Sequence, residues 1–311
     1  MAIFTIGGCV VNQQTAEKQL GSNWGYRAFY LLIRLGGRKA AYALLYLVCA
    51  CYVLFWPQVR RSCDPYLNHR FPSSVGFTRL WQQYKMVVSF GKMMVDRAIV
   101  GSLGADQIIV SLQGREQLLN IRDQKRGMIL LMSHVGCWQL AMSAMGALNE
   151  PIHMLMHGHA SSFERQDYEQ DNGEVKHESP YRVIDPQGYL GGAFEMLAVL
   201  KQGGILSIMG DRVPKDEKNR VHVTFLGQQV ALPMSAYHLA SSTGAPLVVL
   251  TSRKCDENHY EMVVADVIEV PEGLGRKPEA FTVYAQRYAT TLEKYCQNNP
   301  YQFFNFFDMW N

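Results

Sequence analysis

From residue 107 onward, short apolar segments alternate with segments suited to helices, and this alternation restricts the fold more than any other feature. Segment 127–133 is almost continuously apolar, as a strand buried on both faces of a sheet is, and 205–210 and 246–253 are also predicted to be strands. Other predicted strands are 107–112, 152–157, 181–185, 221–227 and 260–270. Predicted helices are 75–100, 136–148, 188–203, 234–244 and 278–300. The alternation predicts an α/β fold with a single, mostly parallel or mixed sheet flanked by helices.

A second feature is the uncharged apolar segment from Ala40 to Trp56, which lies between Arg38-Lys39 and Arg60-Arg61. Its seventeen residues are at the lower limit for a membrane-crossing helix, which needs roughly 20. A buried core helix is the alternative, but the flanking cations and aromatic residues favour a membrane anchor that crosses or lies in the bilayer. We therefore predict an anchor over residues 1–60 and a single α/β domain over residues 61–311.

Charge and cysteine content point to the same surroundings. The net charge is only +3, but residues 1–70 contain eight Lys and Arg against two acidic residues. A basic end beside an apolar segment suits an anionic membrane surface, and without an RNA-binding or zinc-finger motif no nucleic-acid partner is expected. Seven scattered cysteines without a Cys-x-x-Cys pair indicate reduced thiols and a cytosolic location for the folded part.

His134 follows the apolar segment 127–133, at the junction between a predicted strand and a predicted helix. In α/β sheets, ligands bind at the carboxyl ends of strands. His134 and Gln139 are five residues apart, which is roughly 140° around a regular helix, so they can meet only if His134 precedes the helix. Gly136 would ease such a turn. A histidine before a helix N-terminus is expected to be neutral near pH 7, as a general base must be.

The segment SHVGCWQLA resembles the histidine-x4-acid signature of the lysophospholipid acyltransferase superfamily, in the form typical of lipid A late acyltransferases. The resemblance continues through FGKMMVDRAIV, GDRV, VTFLGQQVALPMSAYHLASSTGAPLVV and NPYQFFNFFDMWN, and it covers about residues 25–310. It implies an enzyme on the cytoplasmic face of a bacterial inner membrane. Such enzymes transfer a fatty acyl chain from acyl carrier protein, or from acyl-CoA, to a hydroxyl of a membrane lipid or glycolipid.

In this family the histidine, here His134, deprotonates the acceptor hydroxyl, and the acid orients the histidine; no cofactor or metal is implied. At the acid position this chain has Gln139, whose amide oxygen can accept a hydrogen bond but carries no charge. Three interpretations remain open: a working His134–Gln139 pair, an acid from elsewhere, and a catalytically degenerate lipid- or carrier-binding relative. Asp211, at the end of the predicted strand 205–210, is the candidate for the acid from elsewhere.

Two arginines are candidates for substrate binding. Arg212 follows Asp211 and is placed to pair with a phosphate, although a salt bridge to a neighbouring aspartate is an equal alternative. Arg165 matches an arginine that the family often places after the second strand of the core.

The sequence also leaves room for three other chemistries. Cys137 would serve as an acyl-carrying nucleophile only with a depressed pKa, and the chain lacks a cysteine-specific signature. His153, His157 and His159 lie close in sequence, but no Cys, Asp or Glu at a recognised spacing completes a zinc site. An acyl-thioester hydrolase is a further alternative, which would release free acid without an acceptor lipid.

Overall fold

The computed structural model describes residues 23–155, 181–185, 192–213 and 219–310, with side chains given from residue 36 onward. These residues divide into two compact units. The first comprises the chain up to Ile109, the segment Lys254–His259 and the chain from Cys296 on; the second comprises Val110–Arg253 and Tyr260–Tyr295. The predicted boundary at residue 60 lies within a helix of the first unit, and that division of the chain stays a prediction.

The first unit is built on three helices: α1 (Asn23–Phe55), α2 (Pro57–Arg70) and α3 (Gly76–Leu103). Helix α1 is kinked at Gly37, whose φ of 63° departs from helical geometry. Beyond the kink, α1 packs antiparallel to α3. The Tyr42 hydroxyl lies 2.6 Å from Asp96, and the Cys49 thiol lies 3.9 Å from the carbonyl oxygen of Val87.

The two faces of α1 differ in their surroundings although both are apolar. Its buried residues recur every fourth position and pack in the interior of the unit: Ala41, Leu45, Cys49 and Val53. The opposite face exposes large apolar side chains: Leu44, Leu47, Leu54 and Phe55. By length and composition Gly36–Phe55 could cross a membrane, and only 28% of its most apolar window is buried. This is weak support for the predicted anchor.

A buried charge cluster joins α1 to the rest of the first unit. The Asp96 carboxylate is fully buried and lies 3.2 Å from Arg38 Nε and 2.6 Å from Lys254 Nζ. Because two cations and a hydroxyl surround one carboxylate, the negative charge is compensated where water cannot reach it.

The second unit contains a seven-stranded sheet, whose strands are β1 (Ile109–Gln113), β2 (Met128–Met132), β3 (Ile152–Leu155), β4 (Tyr181–Ile184), β5 (Ile205–Met209), β8 (Leu247–Lys254) and β9 (His259–Ile268). Their order in the sheet is β1-β9-β8-β2-β5-β3-β4. Strand β2 pairs in parallel with β5 and β8, and β3 pairs in parallel with β4 and β5. Every residue of β2 is buried, as its apolar sequence predicts for a central strand.

The remaining elements flank this sheet or form a separate hairpin. The described α-helices of this part are α4 (Arg115–Asp123), α5 (Trp138–Ala141), α6 (Ala193–Lys201), α7 (Ser235–Thr243) and α8 (Thr282–Asn298). The antiparallel hairpin of β6 (Arg220–Phe225) and β7 (Gln228–Pro233) turns through Leu226 and Gly227, both at positive φ. The predicted fold class, α/β with a mostly parallel sheet and an apolar N-terminal helix as the candidate anchor, is confirmed.

One predicted α-helix is mostly a different type of helix in the structure. The helix predicted over 136–148 is α-helical only in α5, and Met142–Leu148 forms a 3₁₀-helix. The Ser143 hydroxyl bonds back to the carbonyl of Leu140, a local bond that competes with regular helix geometry. Because α5 has only four residues, its dipole at His134 is much smaller than the predicted thirteen-residue helix would give.

Asp96→Asn tests whether the buried charge cluster stabilises the first unit. We expect it to lower the free energy of unfolding by about 3 kcal/mol, because it leaves the Arg38 and Lys254 charges without their counter-ion. The measurement is denaturant unfolding followed by fluorescence, with the exposed Asp106→Asn as the matched control. Equal stability of the two variants would contradict this account.

Candidate active site

The two central strands of the sheet bring His134 and Asp211 to the same edge. Strands β2 and β5 run parallel, and their last paired residues are Met132 and Met209. The pairing extends one residue further, because the Gly210 amide donates a 2.8 Å hydrogen bond to the carbonyl of Met132. His134 and Asp211 each lie two residues beyond a strand end, so the register of the sheet places them side by side.

Three close contacts join the two residues. Nδ1 of His134 lies 2.9 Å from Oδ1 and 3.1 Å from Oδ2 of Asp211. The backbone N–H of His134 donates a further hydrogen bond of 3.0 Å to Oδ2. The carboxylate therefore contacts both the backbone and the ring of the histidine, which restricts the ring's rotation.

The environment of the pair is asymmetric. The Asp211 side chain is fully buried, whereas the His134 side chain is 27% exposed. Burial alone would raise the pKa of Asp211, but the positive charge of His134, its ring hydrogen bond, the charge of Arg212 and the backbone hydrogen bond together hold it below the ordinary value. Asp211 is therefore a carboxylate at neutral pH, and its partner histidine is reachable from outside.

The turn that carries His134 passes close to the end of β8. Gly136 has a φ of 54°, and a Cβ atom there would lie 2.2 Å from the carbonyl oxygen of Ser252. The buried Ser252 hydroxyl donates a 2.8 Å hydrogen bond to the carbonyl of Val135. Only glycine fits at position 136, because both the left-handed backbone and the close approach exclude a side chain.

Two tyrosines of α8, which lies near the C-terminus, also support the turn that carries His134. The Tyr288 hydroxyl lies 2.7 Å from the Ser133 hydroxyl and 3.1 Å from the carbonyl of Met132. The Tyr295 hydroxyl donates a 2.7 Å hydrogen bond to the carbonyl of Ser252. Sequence reasoning missed these supports, and the available signal was the seven-residue spacing that puts both tyrosines on one helix face.

Gln139, the residue at the acid position of the motif, lies in α5 and has a different neighbour. Its Oε1 lies 3.8 Å from the thiol of Cys137, and no hydrogen bond joins it to His134 within the part of the chain that the structure describes. Cys137 itself is fully buried. A nucleophile must reach its substrate, so this burial does not favour Cys137 as an acyl carrier.

The structure places the other predicted site residues as follows. Arg212 is half-buried, and its charge acts on Asp211. Arg165, His157 and His159 lie outside the described residues. His153 is half-buried in β3, with Nδ1 3.3 Å from the carbonyl of Ile205. Among the described ranges, no group of three or more His, Cys, Asp or Glu could hold a metal ion.

Gly136→Ala tests the close approach between the His134 turn and β8. We expect a loss of at least about 2 kcal/mol in unfolding free energy, because the new methyl group meets backbone atoms at a positive φ. Gly146→Ala is the matched control, since a Cβ there meets nothing within 4 Å. The measurement is thermal unfolding of both variants, and a Gly136→Ala protein as stable as the control would contradict the geometry.

Comparison with known proteins matches the chain to a protein family. The family model described as bacterial lipid A biosynthesis acyltransferase matches residues 18–311. A search of curated proteins finds no match to the chain. The family match covers both the helices of the first unit and the sheet that carries His134 and Asp211.

Proposed function

We propose a mechanism for this chain, which belongs to the bacterial lipid A biosynthesis acyltransferase family and is therefore an acyltransferase acting on a lipid. The chain transfers a fatty acyl group from the thioester of an acyl carrier protein, or of coenzyme A, to a hydroxyl of a membrane lipid or glycolipid. His134 is the general base, and Asp211 is the positioning residue that holds it. The observation that carries this proposal is the contact of a partly exposed histidine with a buried carboxylate.

The chemistry depends on which ring nitrogen of His134 is hydrogen-bonded to Asp211. With Nδ1 protonated and held by the Asp211 carboxylate, Nε2 has a free lone pair. Nε2 removes the proton of the acceptor hydroxyl, and the oxygen attacks the thioester carbonyl to form a tetrahedral intermediate. The C–S bond then breaks, an ester bond remains, and the imidazolium returns its proton to the departing thiolate. Atoms and charge balance without a metal or a cofactor.

Asp211 contributes charge as well as orientation. During attack the imidazole becomes an imidazolium, and a buried carboxylate next to Nδ1 stabilises that cation. Gln139 at the acid position of the motif cannot supply this charge. The hypothesis of a catalytically degenerate relative rests on that missing acid, and the carboxylate 2.9 Å from Nδ1 supports the active enzyme that we propose instead.

Substrate phosphates are assigned to arginines. Arg212 is half-buried next to Asp211, where a guanidinium group is suited to bind a phosphate of the donor or of the acceptor. Arg165 is retained as a second phosphate-binding residue on the resemblance of its segment to the family.

The membrane contact is assigned to α1. Helix α3 packs along α1 and carries Lys85, Lys92 and Asp96, which would be costly to bury in hydrocarbon. We therefore place α1 in the plane of the membrane, with its exposed apolar face toward the acyl chains. Reduced thiols and basic flanks favour the cytoplasmic face of the inner membrane, and no disulfide joins the cysteines that the structure describes.

The proposal is tested with labelled acyl carrier protein thioester and bacterial membrane lipid. We expect His134→Ala to lower kcat by at least about 10³-fold, because it removes the general base. We expect Asp211→Asn to lower kcat by about 10³–10⁴-fold with little change in KM, because it removes the charge that stabilises the imidazolium. Gln139→Ala is the matched control, and it should leave kcat nearly unchanged.

The measurement is the rate of labelled lipid and of labelled free fatty acid, with thermal unfolding of each variant as the check on folding. Free acid without labelled lipid would identify a thioester hydrolase. An inactive Gln139→Ala protein beside an active Asp211→Asn protein would return the orienting role to Gln139. No transfer by the unsubstituted protein, with either carrier or coenzyme A donors, would favour a non-catalytic binding role.

A further inference from the structure

The first unit contains a basic cavity between α2 and the start of α3. Its volume is about 600 Å³, and its lining includes three guanidinium groups, those of Arg60, Arg61 and Arg79, against one carboxylate, that of Asp64. The charged lining therefore has a net charge of +2. A depression lined by several guanidinium groups is suited to a phosphate, which the planar fork of arginine binds through paired hydrogen bonds.

Two of the three arginines have unused donors. Arg61 is exposed and takes part in no hydrogen bond or ion pair within the described residues. Arg79 donates through Nη2 to the carbonyl of Phe71, but its buried Nη1 has no partner there. Arg60, by contrast, donates to the carbonyls of Val53 and Leu54 at the end of α1. A buried donor without an acceptor is unfavourable, so an incoming anion would supply what Arg79 lacks.

The one carboxylate of the lining, that of Asp64, accepts a hydrogen bond from within the first unit. Asp64 accepts a 2.6 Å hydrogen bond from the amide of Gln83, whose side chain is almost completely buried. This hydrogen bond does not remove the negative charge, which still acts on Arg79, so the charged lining keeps its net charge of +2.

The cavity also includes the N-terminus of a long helix. Helix α3 has 28 residues, its first turn has no acidic residue, and its N-cap residue Val75 provides no side-chain hydrogen bond. The first backbone N–H groups of a helix and its dipole both attract anions. Val75 and Gly76 line the cavity, so this positive helix end is part of the same site.

Large exposed apolar side chains adjoin the cavity in sequence. Phe55 and Trp56 precede the lining residue Pro57, and they are 72% and 38% exposed. Val75 lines the cavity and is 77% exposed, and Phe77 beside Gly76 is 80% exposed. Aromatic and apolar residues next to arginines are typical of protein surfaces that enter the boundary between acyl chains and headgroups.

We propose that this cavity binds the phosphate of an anionic membrane lipid, with Arg61 and Arg79 as its principal donors. The inference rests on the membrane association of the proposed function, since an α1 lying in the interface ends at Phe55, and Trp56 follows it directly before the cavity. The site fixes how α1 sits in the membrane through a headgroup contact, in addition to the apolar contact of the helix. It uses residues of the first unit and none of the proposed catalytic residues.

The experiment measures binding of the full chain to vesicles at physiological ionic strength, where diffuse attraction is screened. Vesicles of phosphatidylcholine alone are compared with vesicles that also contain phosphatidylglycerol. We expect Arg61→Gln with Arg79→Gln to weaken partitioning onto the anionic vesicles by at least about tenfold. Arg61→Lys with Arg79→Lys should also weaken it several-fold, because lysine keeps the charge but loses the fork.

The matched control removes two exposed arginines of the second unit, Arg115→Gln with Arg276→Gln, for the same change in charge. An equal loss in the control, or full binding by the lysine variant, would mean diffuse attraction and overturn the site. Arg61→Gln alone covers the case in which the double variant fails to fold, because Arg61 is exposed and makes no hydrogen bond or ion pair among the described residues. This single variant should weaken binding measurably.

Two further arms identify the ligand. Short-chain phosphatidylglycerol should raise the unfolding temperature of the unsubstituted protein but not of the Arg61→Gln, Arg79→Gln variant, whereas the same concentration of inorganic phosphate should do neither. Equal stabilisation by inorganic phosphate would overturn the lipid assignment in favour of a soluble phosphate. Variants that bind vesicles normally but lose binding to purified acyl carrier protein would overturn it in favour of carrier docking.

The outcome is separable from that of the proposed function. His134→Ala should bind the vesicles as well as the unsubstituted protein does. If the unsubstituted protein binds no vesicles, the membrane assignment itself fails together with the site. If it binds and the arginine variants bind equally, only the cavity proposal fails.

Discussion

The parallel pairing of β2 with β5 is the constraint on which the site depends. Because the two strands are in register up to Met132 and Met209, the residues that follow them emerge at the same edge of the sheet. The Asp211 carboxylate then bonds both the backbone and the ring of His134. A carboxylate buried without such partners would be strongly destabilising. The burial of Asp211 therefore depends on its hydrogen bonds to His134.

The strand geometry also provides a second source for the carboxylate that the proposed base needs. A histidine that acts as a base needs a group at Nδ1 that orients the ring and balances the positive charge, and the source of that group in the sequence is immaterial. In this chain the motif position holds Gln139, and the carboxylate at Nδ1 comes from the end of the neighbouring strand. The supports from Ser252 and Tyr288 hold the histidine turn against the sheet.

Sequence patterns predicted the parts of this arrangement that depend on local chemistry. Continuous apolar segments indicated buried parallel strands, and the strand ends indicated His134 and Asp211 as candidates. Neither the order of the strands nor their register was predictable. Similar apolar segments can pair with one another in several arrangements. The neighbours of Gln139 could not be predicted either, since they depend on the short α5 and on the 3₁₀-helix after it. Contacts between α8 and β8 join residues more than forty positions apart, a separation that leaves no trace in periodicity.

The central claim is that His134 and Asp211 act as one catalytic unit, and a double-mutant cycle tests it most directly. Single-turnover acyl transfer is measured for the unsubstituted protein, His134→Ala, Asp211→Asn and the double variant. If Asp211 acts through the ring of His134, Asp211→Asn slows the unsubstituted protein strongly but has almost no effect once His134 is absent. Equal slowing by Asp211→Asn in both backgrounds would mean that the two residues act independently, which would contradict the account.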